Sequence, residues 1–151
     1  MPRARELSLE EIVQTLRSDE AETVFEENDV LAAYLFGSVV EERTHAHSDV
    51  DVAVVFKQSV PQSEHFDRRL AIIGKLMDLL HLNDVDVVPL NKAPLLLVYE
   101  ALKQPMTIYV ADEEEAAEFE IAALGLSYDF MPILDSYIAE MRSRIRKGGL
   151  G

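Results

Sequence analysis

Two closely spaced aspartates give this sequence its strongest chemical signal. Asp49 and Asp51 flank Val50 at the start of an almost wholly apolar run, residues 52–56. Such a run predicts a buried β-strand, and alternate side chains of a strand point to the same face. Adjacent carboxylates repel each other, so the pair favours a cation bound between them. Magnesium is the expected ion, because it takes oxygen ligands and usually keeps substrate phosphates in its shell.

A third aspartate and a glycine turn extend this candidate site. Asp86 interrupts the apolar run 85–88, and Gly37 and Ser38 follow the apolar run 31–36. Glycine lets the backbone approach a phosphate closely, and serine offers a hydroxyl and an amide. If the strands are neighbours, the three carboxylates can hold two cations roughly 3.5–4 Å apart, as in-line phosphoryl displacement requires. The pattern therefore predicts attack at the α-phosphorus of a nucleoside triphosphate.

Each feature has a commoner structural explanation when it is taken alone. A Gly-Ser pair is usually a turn, an Asp-x-Asp is usually a solvated loop or a helix cap, and Asp86 could be a surface acid on an edge strand. Their joint spacing favours the metal–nucleotide interpretation. His45 and His47, together with Asp49, could ligate a transition metal. Two exposed loop histidines are the more economical interpretation of that pair.

Composition indicates a single soluble domain with an acidic surface. The 151 residues, 48% of them hydrophobic, are enough for one domain spanning residues 1–151. No apolar run reaches the roughly eighteen residues of a membrane span, and the N-terminus has no apolar core of a signal peptide. Together with the absence of cysteine, this predicts a cytoplasmic protein. The net charge of −14 disfavours general nucleic-acid binding and suits a partner with a basic face, or simply solubility.

The hydrophobic pattern predicts an α/β (α+β) fold, with a mixed sheet of about four strands and helices covering one main face. A loop of about a dozen residues joins the first two strands, which are expected to be antiparallel neighbours, whereas the third strand is reached through a helix, as in a parallel crossover. The predicted strands are 31–36, 50–56, 85–88 and 106–110, and the predicted helices are 7–28 with a bend at Ser18-Asp19, 63–81, 93–103, 112–124 and 130–147.

Several helix details are specific enough to check. Ser8, with Glu11 three residues later, forms a capping box, Ser18-Asp19 is expected to cap a second turn at the bend, and Ser63 is expected to cap the helix 63–81. Gly125 is expected to end one helix before the next begins. The positions predicted to face inward are Phe66, Leu70, Ile73, Met77 and Leu80 in the helix 63–81, and Ile133, Leu134, Tyr137, Ile138, Met141 and Ile145 in the last helix.

The Gly-Ser turn, the Asp-x-Asp pair and the later acid together resemble the signature of the DNA polymerase beta-like nucleotidyltransferase superfamily. The run YLFGS, a spacer of ten residues and the run DVDVAVVF are similar to the minimal nucleotidyltransferases. The pattern Tyr128-Asp129-Phe130-x-Pro132 is similar to one in the antitoxin subgroup that is paired with HEPN-domain toxins. The resemblance covers nearly the whole chain and implies a nucleotidyltransferase-like sheet with C-terminal helices.

The resemblance also implies roles for individual residues. Gly37 and Ser38 would form the nucleotide-phosphate turn. Asp49, Asp51 and Asp86 would be the catalytic acids and the ligands of two magnesium ions, with Asp86 assisting deprotonation of the acceptor. The implied reaction transfers AMP from ATP to a tyrosine hydroxyl of a partner HEPN ribonuclease toxin, which it silences.

Two other functions follow less directly from the sequence. Relatives commonly hold an Arg-Gly pair early in the spacer, where this chain has Glu41 and Glu42, and acids at these positions repel a triphosphate. A binding antitoxin that masks the toxin without efficient catalysis is therefore the alternative. Transfer of a nucleotide to a small molecule generally needs an additional substrate-binding domain, for which 151 residues leave little room.

Overall fold

A four-stranded mixed sheet organises the chain. The computed structural model describes residues 7–37, 40 and 49–146. The strand order is β3-β2-β1-β4, in which β1 is antiparallel to both β2 and β4, and β2 is parallel to β3. The predicted mixed sheet, the antiparallel first pair and the parallel crossover are confirmed. The strands are β1 (Val30–Phe36), β2 (Val50–Phe56), β3 (Val85–Pro89) and β4 (Met106–Val110).

Helices cover both faces of this sheet, so the prediction of one main covered face is wrong. The physical reason is that β1 and β2 are buried on both sides and must be shielded on both. On one face α1, α2 and α3 build a core with side chains such as Phe25 and Leu76, and on the other α4 and α5 pack around Tyr34 and Leu102. The helices are α1 (Leu9–Leu16), α2 (Asp19–Glu27), α3 (His65–Leu80), α4 (Leu95–Leu102) and α5 (Glu113–Arg146).

Two of the three predicted serine caps are confirmed. The Ser8 side chain accepts a hydrogen bond from the Glu11 amide at 3.1 Å, and the Ser18 side chain starts α2 by accepting from the Ala21 amide at 3.3 Å. Ser63 is not a cap, because it lies within a 3₁₀ turn, Gln62–Glu64, that leads into α3. The Pro61 carbonyl accepts from the Glu64 amide at 2.9 Å, which tightens this turn.

The buried face of α3 differs from the predicted one at its N-terminal end. Ile72 and Leu76 are buried with Leu80, whereas Phe66 is 61% exposed and Leu70 is 48% exposed. The buried positions are four residues apart and form one stripe along the helix. Contact with the sheet determines which side of the helix is buried. The buried stripe is therefore rotated about the helix axis relative to the predicted one, which begins at Phe66.

The C-terminal region is one helix, so the prediction of a stop at Gly125 and a separate helix from 130 is wrong. Helix α5 runs without interruption for 34 residues and contains both Gly125 and Pro132. Glycine in a helix interior costs only about 1 kcal/mol relative to alanine, which neighbouring helix formers offset. Ile133 and Met141, predicted to face inward, are 64% and 40% exposed. Among the described residues, no helix has the length and apolar character to cross a membrane.

The continuity of α5 predicts that Gly125→Ala stabilises the protein. Nothing lies within 4 Å of a Cβ built at Gly125, so alanine adds helix propensity without a clash. The free energy of unfolding should rise by about 0.5–1 kcal/mol, measured by urea denaturation followed by circular dichroism. Gly74→Ala in α3 is the matched control, since its Cβ also meets nothing within 4 Å. If Gly125→Ala destabilises the protein and Gly74→Ala does not, the helix does not continue through position 125.

Candidate active site

Four of the predicted site residues lie at one end of the sheet, where β1 ends and β2 and β3 begin. Phe36, the last residue of β1, pairs with Asp51, and Asp51 pairs in register with Asp86 on the parallel strand β3. Gly37 directly follows β1, and Asp49 directly precedes β2. The fold therefore brings the glycine and the three aspartates together from three adjacent strands.

Part of the predicted site is not covered by the structure. Residues 38–39 and 41–48, between β1 and β2, lie outside the described residues. The predictions for Ser38, Glu41, Glu42, His45 and His47 therefore stay predictions. The side chain of Tyr128 in α5 is likewise outside the described part.

Electrostatic interaction links the three carboxylates. The pKa of Asp51 is raised from 3.8 to about 6, chiefly by burial and then by the charges of Asp49 and Asp86. Burial disfavours the ionised form of a carboxyl group, and nearby negative charges disfavour it further. A cation at this end of the sheet would relieve both effects.

Gly37 is required by its backbone conformation and by its close contact with Asp51. Its φ is +83°, in the left-handed region that glycine adopts most readily. A Cβ at this position would lie 2.7 Å from Asp51 Oδ2. Because Gly37 has no side chain, the Asp51 carboxylate can keep its observed position.

A basic residue that the sequence analysis did not predict completes the described site. Arg69 in α3 donates from Nη2 to Asp86 Oδ1 at 2.7 Å and from Nε to the Val87 carbonyl at 2.6 Å. The sequence does contain a signal, because Arg69 stands three residues before Ile72 on the stripe that α3 buries. An arginine at an inward-facing helix position needs a partner, but sequence alone does not show which one.

The donor atoms at this end of the sheet fit magnesium. Asp49, Asp51 and Asp86 offer only carboxylate oxygens, which are ligands that hard divalent cations prefer. Within residues 7–37, 40 and 49–146, no three acidic or histidine side chains are already arranged closely enough to hold a metal ion. The donors at this end of the sheet are therefore of the type that magnesium takes, although the described side chains alone do not form a complete ligand set.

A family profile decides the classification of the chain. The profile of the family described as "Polymerase beta, Nucleotidyltransferase" matches residues 19–114, more than half of the chain. The chain belongs to this nucleotidyltransferase family. The matched part of the nucleotidyltransferase includes all four strands and every candidate site residue. A search of curated proteins found no match.

Solved structures with the same fold come from toxin–antitoxin complexes. One is the tri-AMPylated HEPN toxin of Shewanella oneidensis in complex with MNT antitoxin, with 22% identity and a TM-score of 0.56 over 83% of this nucleotidyltransferase and 98% of the matched chain. A toxin–antitoxin structure with AMP-PNP has 22% identity and a TM-score of 0.57 over 80% and 99% of the two chains. The toxin–antitoxin MntA–HepT has 21% identity and a TM-score of 0.56 over 83% and 99%. These likenesses establish the fold.

Proposed function

We propose that the protein is a magnesium-dependent adenylyltransferase that transfers AMP from ATP to a tyrosine hydroxyl of a HEPN-domain toxin, and so acts as its antitoxin. The observation that carries the proposal is the in-register pairing of Asp51 with Asp86 across β2 and β3. Family membership supports nucleotidyl transfer. The solved complexes with an AMPylated HEPN toxin and with AMP-PNP support the partner and the nucleotide.

The proposed roles follow from the arrangement at the sheet end. The backbone of Gly37, with Ser38 after it, receives the phosphates where no side chain intervenes. Asp49 and Asp51 hold two magnesium ions, and Asp86 completes the site. Bound magnesium neutralises the charge of the phosphates and of the carboxylates. The protein itself positions the reactants, and positioning together with charge stabilisation accounts for nearly all of the catalysis in phosphoryl transfer.

The proposed step is an in-line displacement at the α-phosphorus of ATP. The tyrosine oxygen of the toxin forms a bond to the α-phosphorus, and the bond from that phosphorus to the bridging oxygen of the β-phosphate breaks. Pyrophosphate leaves with the bonding electron pair, and AMP stays on the tyrosine as a phosphodiester. Asp86 accepts the hydroxyl proton, which is general-base assistance by a carboxylate.

Labelled ATP tests this proposal directly. The protein, magnesium and its purified HEPN-domain partner should yield a labelled partner with α-³²P-ATP and no label with γ-³²P-ATP. Replacing both Asp49 and Asp51 by Asn should remove the label while the two proteins still co-purify. An unlabelled partner with the wild-type protein would refute the function, and full labelling by the double variant would refute the site.

The ion pair between Asp86 and Arg69 favours a second candidate function, an antitoxin that masks the toxin by binding alone. A carboxylate whose Oδ1 is already paired with a guanidinium at 2.7 Å has fewer lone pairs left for a metal ion. In this case, inhibition of the toxin's ribonuclease activity would need no ATP and would survive replacement of Asp49 and Asp51. A requirement for ATP in the inhibition assay would exclude masking as the mechanism.

A further inference from the structure

Arg69 holds the start of β3 through two separate hydrogen bonds. Its Nη2 donates to Asp86 Oδ1 at 2.7 Å, and its Nε donates to the Val87 carbonyl at 2.6 Å. The guanidinium is planar, so two bonds to neighbouring residues fix its orientation as well as its position. A lysine ammonium, which is a single point charge, cannot make both of these hydrogen bonds in the same fixed geometry.

The same contacts leave one oxygen of Asp86 available. Oδ1 accepts from Arg69 and also from the Val87 amide at 2.9 Å. Oδ2 receives no hydrogen bond from any residue in the described part of the chain. The carboxylate is thus held by one oxygen, and the other can serve the site that Asp86 shares with Asp51 through their in-register pairing.

The helix that carries Arg69 is firmly anchored beneath the sheet. Ile72 and Leu76 continue the stripe of Arg69 toward the C-terminal end of α3, and both are fully buried. Because the helix backbone cannot shift easily against this core, the position of the guanidinium is set by the fold. Arg69 therefore brings a rigid positive charge to an otherwise acidic site.

We propose that Arg69 is a positioning residue for nucleotidyl transfer, which fixes the Asp86 carboxylate through Oδ1 and leaves Oδ2 available to the site that Asp86 shares with Asp51. This inference rests on the proposed function and adds to it a residue from outside the three strands. The proposed role of Arg69 is to position Asp86 and not to bind ATP. Its loss should therefore lower kcat and leave the KM for ATP nearly unchanged.

The adjacent Arg68 provides a matched control. It lies on the same helix and is also paired with acids, at 3.1 Å from Asp29 Oδ2 and 2.9 Å from Glu64 Oε1. Neither acid belongs to the candidate site. Arg68→Ala therefore removes an equivalent charge and an equivalent pair of contacts without touching Asp86.

The experiment measures kcat and KM for ATP in AMP transfer to the partner, with the variants Arg69→Ala, Arg69→Lys, Arg68→Ala, Asp86→Asn and the double variant Arg69→Ala/Asp86→Asn. Arg69→Ala should lower kcat about tenfold or more, as loss of an orienting partner does. Arg69→Lys should recover only part of this loss, and Arg68→Ala should match the wild type. The double variant should be no slower than Asp86→Asn alone, since Arg69 acts only through Asp86.

Several results would overturn the inference while leaving the proposed function intact. These are a wild-type kcat in Arg69→Ala, a higher kcat in that variant, or losses that multiply in the double variant. Thermal unfolding of the same variants gives a readout that does not depend on activity. If the wild type transfers no AMP, the proposed function fails, and the unfolding data then test the contact between Arg69 and Asp86 by themselves. Losses of Tm that add up in the double variant would refute this contact, and a smaller combined loss would support it.

Discussion

Replacing Asp51 by Asn is expected to slow AMP transfer strongly and, at the same time, to stabilise the fold. Loss of this carboxylate removes a proposed metal ligand at the centre of the site. The rate should fall about a thousandfold, which corresponds to about 4 kcal/mol of activation free energy. The overall shape of the side chain is kept, so its contact with Gly37 is retained.

The stabilisation follows from the pKa of Asp51, which rises from 3.8 to about 6 on folding. The folded protein binds this proton more tightly than the unfolded chain does. The stability that the protonated form contributes is therefore present below the unfolded pKa and is lost as the pH rises through about 6. Because Asp51 is partly exposed, solvent screening reduces the full effect of the shift to about 1 kcal/mol at pH 8.

Asparagine is neutral at every pH, so Asp51→Asn should avoid this loss. Urea denaturation in EDTA should show the variant about 1 kcal/mol more stable than the wild type at pH 8, with a smaller difference at pH 5. Asp135→Asn, at an exposed position of α5 outside the site, is the control and should change little at either pH. A variant that is less stable than the wild type at pH 8 would contradict the destabilisation of the ionised Asp51 carboxylate by burial and by the charges of Asp49 and Asp86.

The sheet and the alignment of its acids could be predicted because they depend on local and strongly patterned signals. The apolar runs of β1 and β2 mark strands that are buried on both faces. The helix between β2 and β3 forces a parallel crossover, and this places Asp86 beside Asp51. Two-sided burial of the strands also implies that helices cover both faces of the sheet. The prediction of one main covered face did not take this consequence into account.

The remaining features depend on competition between local preferences and tertiary contacts. Gly125 is a typical helix end, yet α5 continues through it, because a single glycine is a weak signal within a long helix. The buried stripe of α3 is selected by the sheet, and so is the contact between Arg69 and Asp86, which are 17 positions apart. Helical periodicity can indicate that Arg69 faces inward, but only the packing of α3 on β3 identifies its partner.

Gly37→Ala is expected to impair both folding and catalysis, through a single contact. The new Cβ would meet Asp51 Oδ2 at 2.7 Å, and the backbone φ of +83° is strained for alanine. The two effects together should lower the free energy of unfolding by about 1–3 kcal/mol. Because the carboxylate must move to relieve the clash, AMP transfer should fall about a hundredfold, as misplacement by about 1 Å in a catalytic site can cause.

A double-mutant cycle with Asp51→Ala separates the clash from the backbone strain. Alanine at position 51 has no carboxylate to collide with, so Gly37→Ala should cost less stability in that background, and the remaining cost is the strain of a positive φ alone. Gly74→Ala, which meets nothing within 4 Å, should show neither loss. An equal loss of stability from Gly37→Ala in both backgrounds would mean that glycine is needed at position 37 only for its positive φ. A reduced cost would show that the turn after β1 and the acid at the start of β2 form one unit.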